Sequence, residues 1–406
     1  MEHILYWLWL TTKYGVTPSK IKVLLEYFKT VEEIYFSKNF NNIYGLSDKI
    51  KSSLADKDLS KAEKILEQTA KLNQKILVYD SESYPQILKN ISSPPYVLYV
   101  QGKVLELDKV LTIGVVGTRN SSEYGRVVTD RICRELAQYG AVTVGGLARG
   151  IDTVGAWATL DVGGVAVGVV GSGLDIVYPS ENVELVKAIT EKGCIISEYA
   201  PGTPPVRNHF PARNRIIAGL SRGILVTEAP EKSGALITAA TALDQGREVF
   251  AVPGPIDART SLGCNALLRD GAGLAAQSSD ILSGYYLRFP HKLHPRGDRP
   301  PLAEPPAGPE DTPRREKPMQ DKPRSPQPAA PALPRRSARD LSDLELSLLR
   351  ILDDKIPLLI DEAADRSQLP VAQVLSAVTI MEIDGLIRRE GMRKYLRTVE
   401  VEETKE

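Results

Sequence analysis

The sequence predicts an α/β protein. Its centre is an extended Rossmann-like core, a mostly parallel sheet covered by helices, with a small helical domain of helix-hairpin-helix (SAM-like) type before it and a winged helix after it. Three observations carry this. Between residues 76 and 283, short β-rich runs that end in glycine alternate with amphipathic stretches. Before residue 70, two similar segments each place a glycine turn ahead of a helix. Near the other end, residues 290 to 334 hold half of the 28 prolines and set a short terminal segment apart.

The elements follow in chain order. Residues 1–70 carry "YGVTPSKIK" and "YGLSDKIK". In each, Thr17 or Ser47 is placed to cap a helix, and Pro18 suits a first helical position. Paired turns of this kind resemble helix-hairpin-helix modules, whose helix N-termini can hold phosphates, but a plainly packed helical domain with ordinary caps is the simpler account of them. Residues 71–286 form the core. Its strands are expected at "ILVY", "YVLYV", "TIGVVG", "VTVGG", "VAVGVVG", "CIIS", "GILVTE", "EVFAVPG" and "AGLAA". Near-continuous apolar strands alternating with helices imply a parallel sheet buried on both faces. Ligands of such sheets bind at the carboxyl ends of the strands, near the switch point. Residues 287–339 are a proline-rich linker, expected to be extended and disordered because it cannot bury enough apolar surface to offset its ordering entropy. Residues 340–400 predict three helices, the third ended by Gly385, then a β-hairpin around Gly391. This wing carries Arg388, Arg389, Arg393, Lys394 and Arg397.

Composition narrows the function. The chain has 51 basic and 51 acidic side chains, so any anion site must be a local one. Cys133, Cys194 and Cys264 form no CxxC pair, and the four histidines have no metal-ligand spacing to them. This argues for a reducing compartment, no disulfide framework and no metal. The apolar start "MEHILYWLWL" lacks a basic n-region and a cleavage site, and no apolar run is long enough to span a bilayer. A cytoplasmic protein with no membrane partner is expected.

Each strand end of the core carries a glycine-rich or polar loop, and three are glycine-rich: "GVVGTRNSSEYG", "GGLARGID" and "GSGLDIVYPSEN". None is GxGxxG, and GxxxxGK[ST] is absent, so neither a dinucleotide cofactor nor P-loop chemistry is supported. The segment 199–227, "YAPGTPPVRNHFPARNRIIAGLSRGILVT", contains four arginines and no acid. Its loop and the first turn of the following helix should lie at the ligand edge. Arg213 and Arg215 are expected in that first turn, where a helix dipole prefers acids, and their presence there is useful if an external anion binds. Phe210 beside them completes the combination that binds single strands, arginines for phosphates and a ring for a base. The alternative is a Phe210 that plugs the core while the arginines pair with Glu198 or Glu228. Composition alone leaves the two even.

At these residues the sequence resembles the DNA-processing protein A (DprA/Smf) family. The matching stretches include "VVGTRNSSEYG", "VGGLARGIDTVGAWATL", "GSGLDIVYPSEN", "HFPARNRIIAGLS", "EAPEKSGALITA" and "GCNALLRDGA", in family order across about 112–273. The resemblance implies an extended Rossmann fold that binds single-stranded DNA, forms homodimers and loads the RecA recombinase during natural transformation, with no established enzymatic activity. It places the DNA pocket on Arg119, Arg207 and Phe210. Thr118 and Asn120 beside Arg119, with Arg213 and Arg215, complete the expected contact set. Arg207 stands where the family often has lysine and should serve a phosphate at least as well. Ser172 stands where the family often has cysteine, which weakens any role for a thiol there. A rival of another class is a nucleotide-processing Rossmann enzyme, which would need a general acid or base among Asp152, Asp175, Glu198 and Glu228. Each of these is expected to cap a helix or orient an arginine instead.

Overall fold

The structure is a computed structural model. It describes residues 2–289 and 293, and beyond them 335–337, 341–353, 358–369, 373–374, 377–378, 381–382, 384–389 and 394–402. The chain divides into two compact units, Met1–Pro306 and Ala307–Glu406.

The first unit opens with five helices: α1 (Glu2–Thr11), α2 (Pro18–Phe28), α3 (Val31–Phe36), α4 (Asp48–Ala55) and α5 (Ser60–Lys71). Thr17 and Ser47 are the N-cap residues of α2 and α4, and Pro18 opens α2, although neither cap side chain makes a capping hydrogen bond. The helices bury Trp7, Trp9, Leu24, Ile34 and Leu54. This apolar cluster continues without a break into Val97, Tyr99 and Ile195 of the sheet.

Each of the nine apolar runs is a strand: β1 (Lys75–Val78), β2 (Val97–Gly102), β3 (Thr112–Val116), β4 (Val142–Gly145), β5 (Val165–Val170), β6 (Cys194–Ser197), β7 (Gly223–Val226), β8 (Glu248–Ala251) and β9 (Gly273–Leu274). They form one sheet in the order β1-β2-β6-β5-β4-β3-β7-β8-β9. β6 through β9 pair in parallel, whereas β1 with β2 and β2 with β6 are antiparallel. The intervening helices are α6 (Gln86–Lys89), α7 (Glu123–Gln138), α8 (Ile151–Asp161), α9 (Val183–Lys192), α10 (His209–Leu220), α11 (Gly234–Asp244), α12 (Leu262–Arg269) and α13 (Ser278–Leu282).

Successive strand residues point to opposite faces, and the cores divide accordingly. On β7, Ile224 and Val226 pack in the cluster that holds Ile216 and Ile217 of α10 and Ala239 of α11. Leu225 packs in the cluster that holds Val128, Ile132 and Leu136 of α7. Both faces are therefore covered, which is why the strands are apolar along their whole length.

The second unit contains α14 (Asp343–Ile351) and α15 (Ile360–Ser367). The sequence of the third expected helix is described only at residues 373–374, 377–378, 381–382 and 384–385, so most of it lies outside the described residues. A three-stranded sheet follows, β11 (Leu358–Leu359), β13 (Lys394–Arg397) and β12 (Ile387–Arg389), with β12 and β13 antiparallel as a wing requires. Gly391 and Arg393 fall outside the described residues, as does most of the proline-rich stretch. One part of the segment expected to be a linker is a strand. β10 (Arg335–Ser337) pairs in parallel with β14 (Glu400–Glu402). Backbone hydrogen bonds to a distant partner can hold a strand whose own sequence shows no periodicity.

Candidate nucleic-acid interface

The strand order fixes where a ligand can sit. From β3 the chain steps through β4 and β5 to β6, then returns to place β7 on the other side of β3. The reversal opens a crevice at the carboxyl ends of β3 and β7, where loops leave in opposite directions. A groove of about 730 Å³ lies there, lined by the loop after β3 (Gly117, Thr118, Arg119), the start of α10 with the loop before it (Pro205, Arg207, Phe210), and the segment joining β7 to α11 (Pro230, Lys232, Ser233). A recess of about 220 Å³ adjoins it and shares Arg119, Tyr178, Phe210 and Arg213.

Local sequence explains this convergence. Gly150 has φ +76°, and a Cβ there would lie 2.4 Å from the Thr118 carbonyl oxygen, so only glycine lets the β4–α8 loop approach the β3 loop. The Ile151 N–H then donates to that same carbonyl at 3.2 Å. Helix α10 begins at His209, two residues before Pro211. Proline is accepted at the third helical position because the first four N–H groups of a helix have no intrahelical partner. His209 anchors the helix start. Its ring stacks on Tyr199 at 3.9 Å between centroids, and its Nδ1 donates to the Gly171 carbonyl at 2.9 Å.

This early start decides the fate of each predicted residue. Phe210 falls in the first turn and is only half-buried. It is not a core plug. Its ring lies 5.6 Å from that of Tyr178, and the Arg119 guanidinium lies 5.8 Å from its centroid. Arg119 and Arg207 are exposed. Thr118 is tied into its loop, where its N–H donates to the Glu228 carbonyl at 2.7 Å and its hydroxyl accepts from Asn120 N–H at 3.3 Å. Asn120 is exposed and lines the recess.

Arg213 and Arg215 stand in the second turn of α10, not the first, and both are engaged by the protein. Arg213 is buried and donates to the carbonyls of Gly146, at 2.7 Å, and Val169. Burial pulls its pKa down to about 10, against the favourable charge of Asp152. Arg215 donates to both carboxylate oxygens of Glu198 at 2.7 Å and does not line the groove. The structure thus brings Arg119, Asn120, Arg207 and Phe210 to one edge with Thr118 in support. It turns Arg213 inward and Arg215 aside.

The four acids at the strand ends are all committed. Glu198 holds Arg215. Glu228 accepts from Ser122 N–H at 2.8 Å through Oε2 at the start of α7, its Oε1 being buried without a hydrogen-bond partner, and a Cβ on Gly125 would collide with the carboxylate, which is why the first turn of that helix carries glycine. Asp175 accepts from Gly202 N–H at 2.9 Å. Asp152 accepts from the amides of Gly146, at 2.9 Å, and Ala148, at 3.4 Å, and burial pushes its pKa up to about 6. Asp152 is the one acid lining the groove, and it lies beneath the cationic rim.

Two lining residues escaped the sequence reading. Tyr178 follows β5 in "GSGLDIVYPSEN", half exposed beside Phe210, and Lys232 stands exposed in "EAPEKSGALITA". An aromatic in the third glycine loop and a lysine just before α11 were the available signals.

Comparison with known proteins gives the lineage. The family model described as DNA recombination-mediator protein A matches residues 75–286, and that of the DprA winged helix domain matches 326–391. Protein Smf of Synechocystis sp. is 37% identical over 284 residues, covering 68% of this chain and 71% of that protein. This chain belongs to the DprA/Smf family. The DNA processing protein DprA of Bacillus subtilis is 43% identical over 201 residues, covering 50% of this chain and 68% of that one. The X-ray structure of DNA processing protein A from Streptococcus pneumoniae covers 70% of this chain and 97% of that one, with a TM-score of 0.57 and 34% identity. The groove lies within the portion matched by the first family model, and the three pocket residues expected from the DprA/Smf resemblance all line it. At the serine that replaces the family's frequent cysteine, the Ser172 hydroxyl donates to the Ile176 carbonyl at 3.1 Å. Among the described residues, no helix is long and apolar enough to cross a membrane.

Proposed function

We propose that the chain binds single-stranded DNA along the switch-point groove, without catalysing a reaction on it, and works as a cytoplasmic homodimer that protects incoming strands and delivers them to the RecA recombinase. One observation carries the binding reading. Phe210 presents a half-exposed ring between Tyr178 and Arg119 in a groove whose rim is basic and whose single acid is buried. A partly exposed aromatic ring beside an arginine, in a groove with further basic side chains, matches a stacked base with its phosphates. Relatives named DNA processing protein support DNA as the polymer. The non-catalytic reading rests on the commitment of all four strand-end acids to backbone amides or an arginine. RecA delivery and the dimer are carried over from the DprA/Smf resemblance.

Fluorescence titration with a dT oligonucleotide and with a duplex of equal length, across a salt series, tests the reading. Single strands should bind more tightly, and log Kd should rise with log salt by about 0.7 for each phosphate neutralised. Equal affinity for duplex and single strand, or insensitivity to salt, overturns it. Nucleotide hydrolysis measured beside it should give no turnover. Turnover abolished by Asp152→Ala would favour the enzyme.

A further inference from the structure

The opposite, amino edge of the sheet holds a second basic cluster. Arg222 immediately precedes β7 and Arg247 immediately precedes β8. β7 and β8 are parallel neighbours with Gly223 opposite Glu248, so the two arginines leave adjacent strand ends, about 5 Å apart in the backbone. Arg288 arrives from the turn after α13, where its N–H donates to the Tyr285 carbonyl at 3.0 Å. Burial lowers the pKa of Arg222 and of Arg247, and the charges of the neighbouring arginines lower each further.

Two carboxylates, Asp108 and Glu248, lie near this cluster without pairing with it. Among the described residues, none of the three arginines forms an ion pair with a carboxylate. Asp108, the acid nearest Arg222, accepts from the amides of Gln86 and Ile87 at 2.7 and 2.8 Å. The guanidiniums donate to carbonyls, Arg222 to that of Asp108 at 3.3 Å and Arg247 to those of Ile87 and Gly219 at 3.1 and 3.3 Å, and that of Arg222 also stands 5.9 Å from the centroid of the Phe289 ring. The Nε–H groups of Arg222 and Arg247 are buried and reach no acceptor.

A neutral donor stands among them. Tyr285 is 1% exposed, and its hydroxyl has no partner at full hydrogen-bond distance, the Glu248 carboxylate being the acceptor in reach. The hydroxyl occupies the space left by Gly223, next to Arg222, where a Cβ would lie 2.7 Å away. Burial, then the nearby Glu248 carboxylate, push its pKa upward, so it stays a donor. Buried donors are nearly always paired in folded proteins, and like charges do not gather without an anion. The cluster holds three cations and one hydroxyl against two nearby carboxylates, Asp108 beside Arg222 and Glu248 beside Tyr285.

We infer that Arg222, Arg247 and Arg288, with the Tyr285 hydroxyl, form an oxyanion site for a phosphate group, separate from the groove. Guanidiniums match phosphate oxygens in paired hydrogen bonds. Cations approaching from three elements suit a tetrahedral anion of charge near −2. A planar carboxylate would be satisfied by one guanidinium fork. The phosphate can belong to a free phosphorylated molecule or to the backbone of a bound strand, and the test separates the two.

The full chain is titrated calorimetrically with inorganic phosphate, with pyrophosphate and with a dT oligonucleotide, using the parent, Arg288→Gln, Tyr285→Phe and Arg119→Ala. Arg288 is exposed, so its variant should fold even if substitutions deeper in the cluster do not. Saturable phosphate or pyrophosphate binding is expected. It should be weakened roughly tenfold or more by Arg288→Gln, about two- to tenfold by Tyr285→Phe, and left intact by Arg119→Ala. Unchanged oligonucleotide binding by Arg288→Gln then assigns the site to a free phosphorylated molecule. A weakened oligonucleotide with a salt slope flatter by about 0.7 assigns it to a strand. The inference is overturned if Arg288→Gln alters neither phosphate nor oligonucleotide binding. It is also overturned if Arg119→Ala abolishes phosphate binding that Arg288→Gln retains.

Discussion

Arg119 and Arg207 on one side, and Arg213 and Arg215 on the other, converge on the same end of the sheet and differ in every physical respect. The first pair stands on loops, exposed and without a carboxylate partner among the described residues. The second pair stands on α10 and is consumed by the fold, Arg213 by two carbonyls and Arg215 by Glu198. A segment cleared of acids in sequence is therefore not cleared of acids in space. Glu198 comes from the end of β6 and Asp152 from α8, and they select which arginines remain for a ligand.

The comparison can be broken most directly at Arg213. Replacing it with methionine should cost about 3–5 kcal/mol of stability in a denaturant melt, because Asp152 would be left buried without its compensating cation. A loss below about 1 kcal/mol together with weakened DNA binding would put Arg213 among the ligand-facing residues instead. Asp152 gives the next effect. Its folded pKa of about 6 exceeds its ordinary 3.8, so the folded state holds the proton more tightly than the unfolded chain does. A raised carboxyl pKa favours folding at low pH, and that contribution is lost as pH rises from about 4 to 6, at up to about 1.4 kcal/mol per pH unit. The stability difference between parent and Asp152→Asn should fall with pH across that window and level off above it. A difference that is flat with pH removes the burial argument.

These two residues also mark what a sequence can show. All nine strands were legible as short apolar runs, seven of them because buried parallel strands are apolar along their whole length, and glycine ends four of the nine runs. The groove's position followed from the rule that ligands sit at a switch point, whereas Arg119 and Arg207 as its lining came from the family resemblance, and Phe210 from that resemblance and from its place in the acid-free segment. The pairing of β2 with β6 was not legible, because an antiparallel edge leaves no mark in either strand. Nor was the start of α10. Pro211 marks a helix beginning without saying whether it stands first or third, and those two residues moved Arg213 and Arg215 into the second turn. Tyr178 and Lys232 are ordinary loop residues until the sheet order brings the loops after β5 and β7 to the loop after β3.

Phe210 sharpens the comparison from the binding side. Stacking contributes about 1–3 kcal/mol per base, so Phe210→Ala should weaken a dT oligonucleotide roughly 5- to 150-fold with little change in salt slope. Its half-exposed ring predicts a small stability loss, against the roughly 3–5 kcal/mol of a core phenylalanine. Arg119→Ala and Arg207→Ala should each weaken binding less, about tenfold, and each should flatten the salt slope by about 0.7, the share of one phosphate. Melts and titrations on the same three variants separate a stacking platform from a structural ring.

Arg215 provides the smallest effect and the cleanest control. Its ion pair with Glu198 is partly screened, since the two side chains keep 17% and 22% of their exposure. A double-mutant cycle of Arg215→Gln and Glu198→Gln should return a coupling of about 1 kcal/mol, the upper end for exposed pairs, because the pair is largely buried although a single guanidinium nitrogen, Nη2, serves both carboxylate oxygens. Oligonucleotide affinity and salt slope should match the parent in both single variants. Should Arg215→Gln flatten the slope as Arg119→Ala does, Arg215 would have to leave Glu198 when DNA binds, and the division between ligand arginines and fold arginines would fail at that residue. Glu198→Gln tells that exchange apart from a folding defect. Freed of its partner, Arg215 should then bind the strand more tightly in an exchanging site, and no differently in a fixed one.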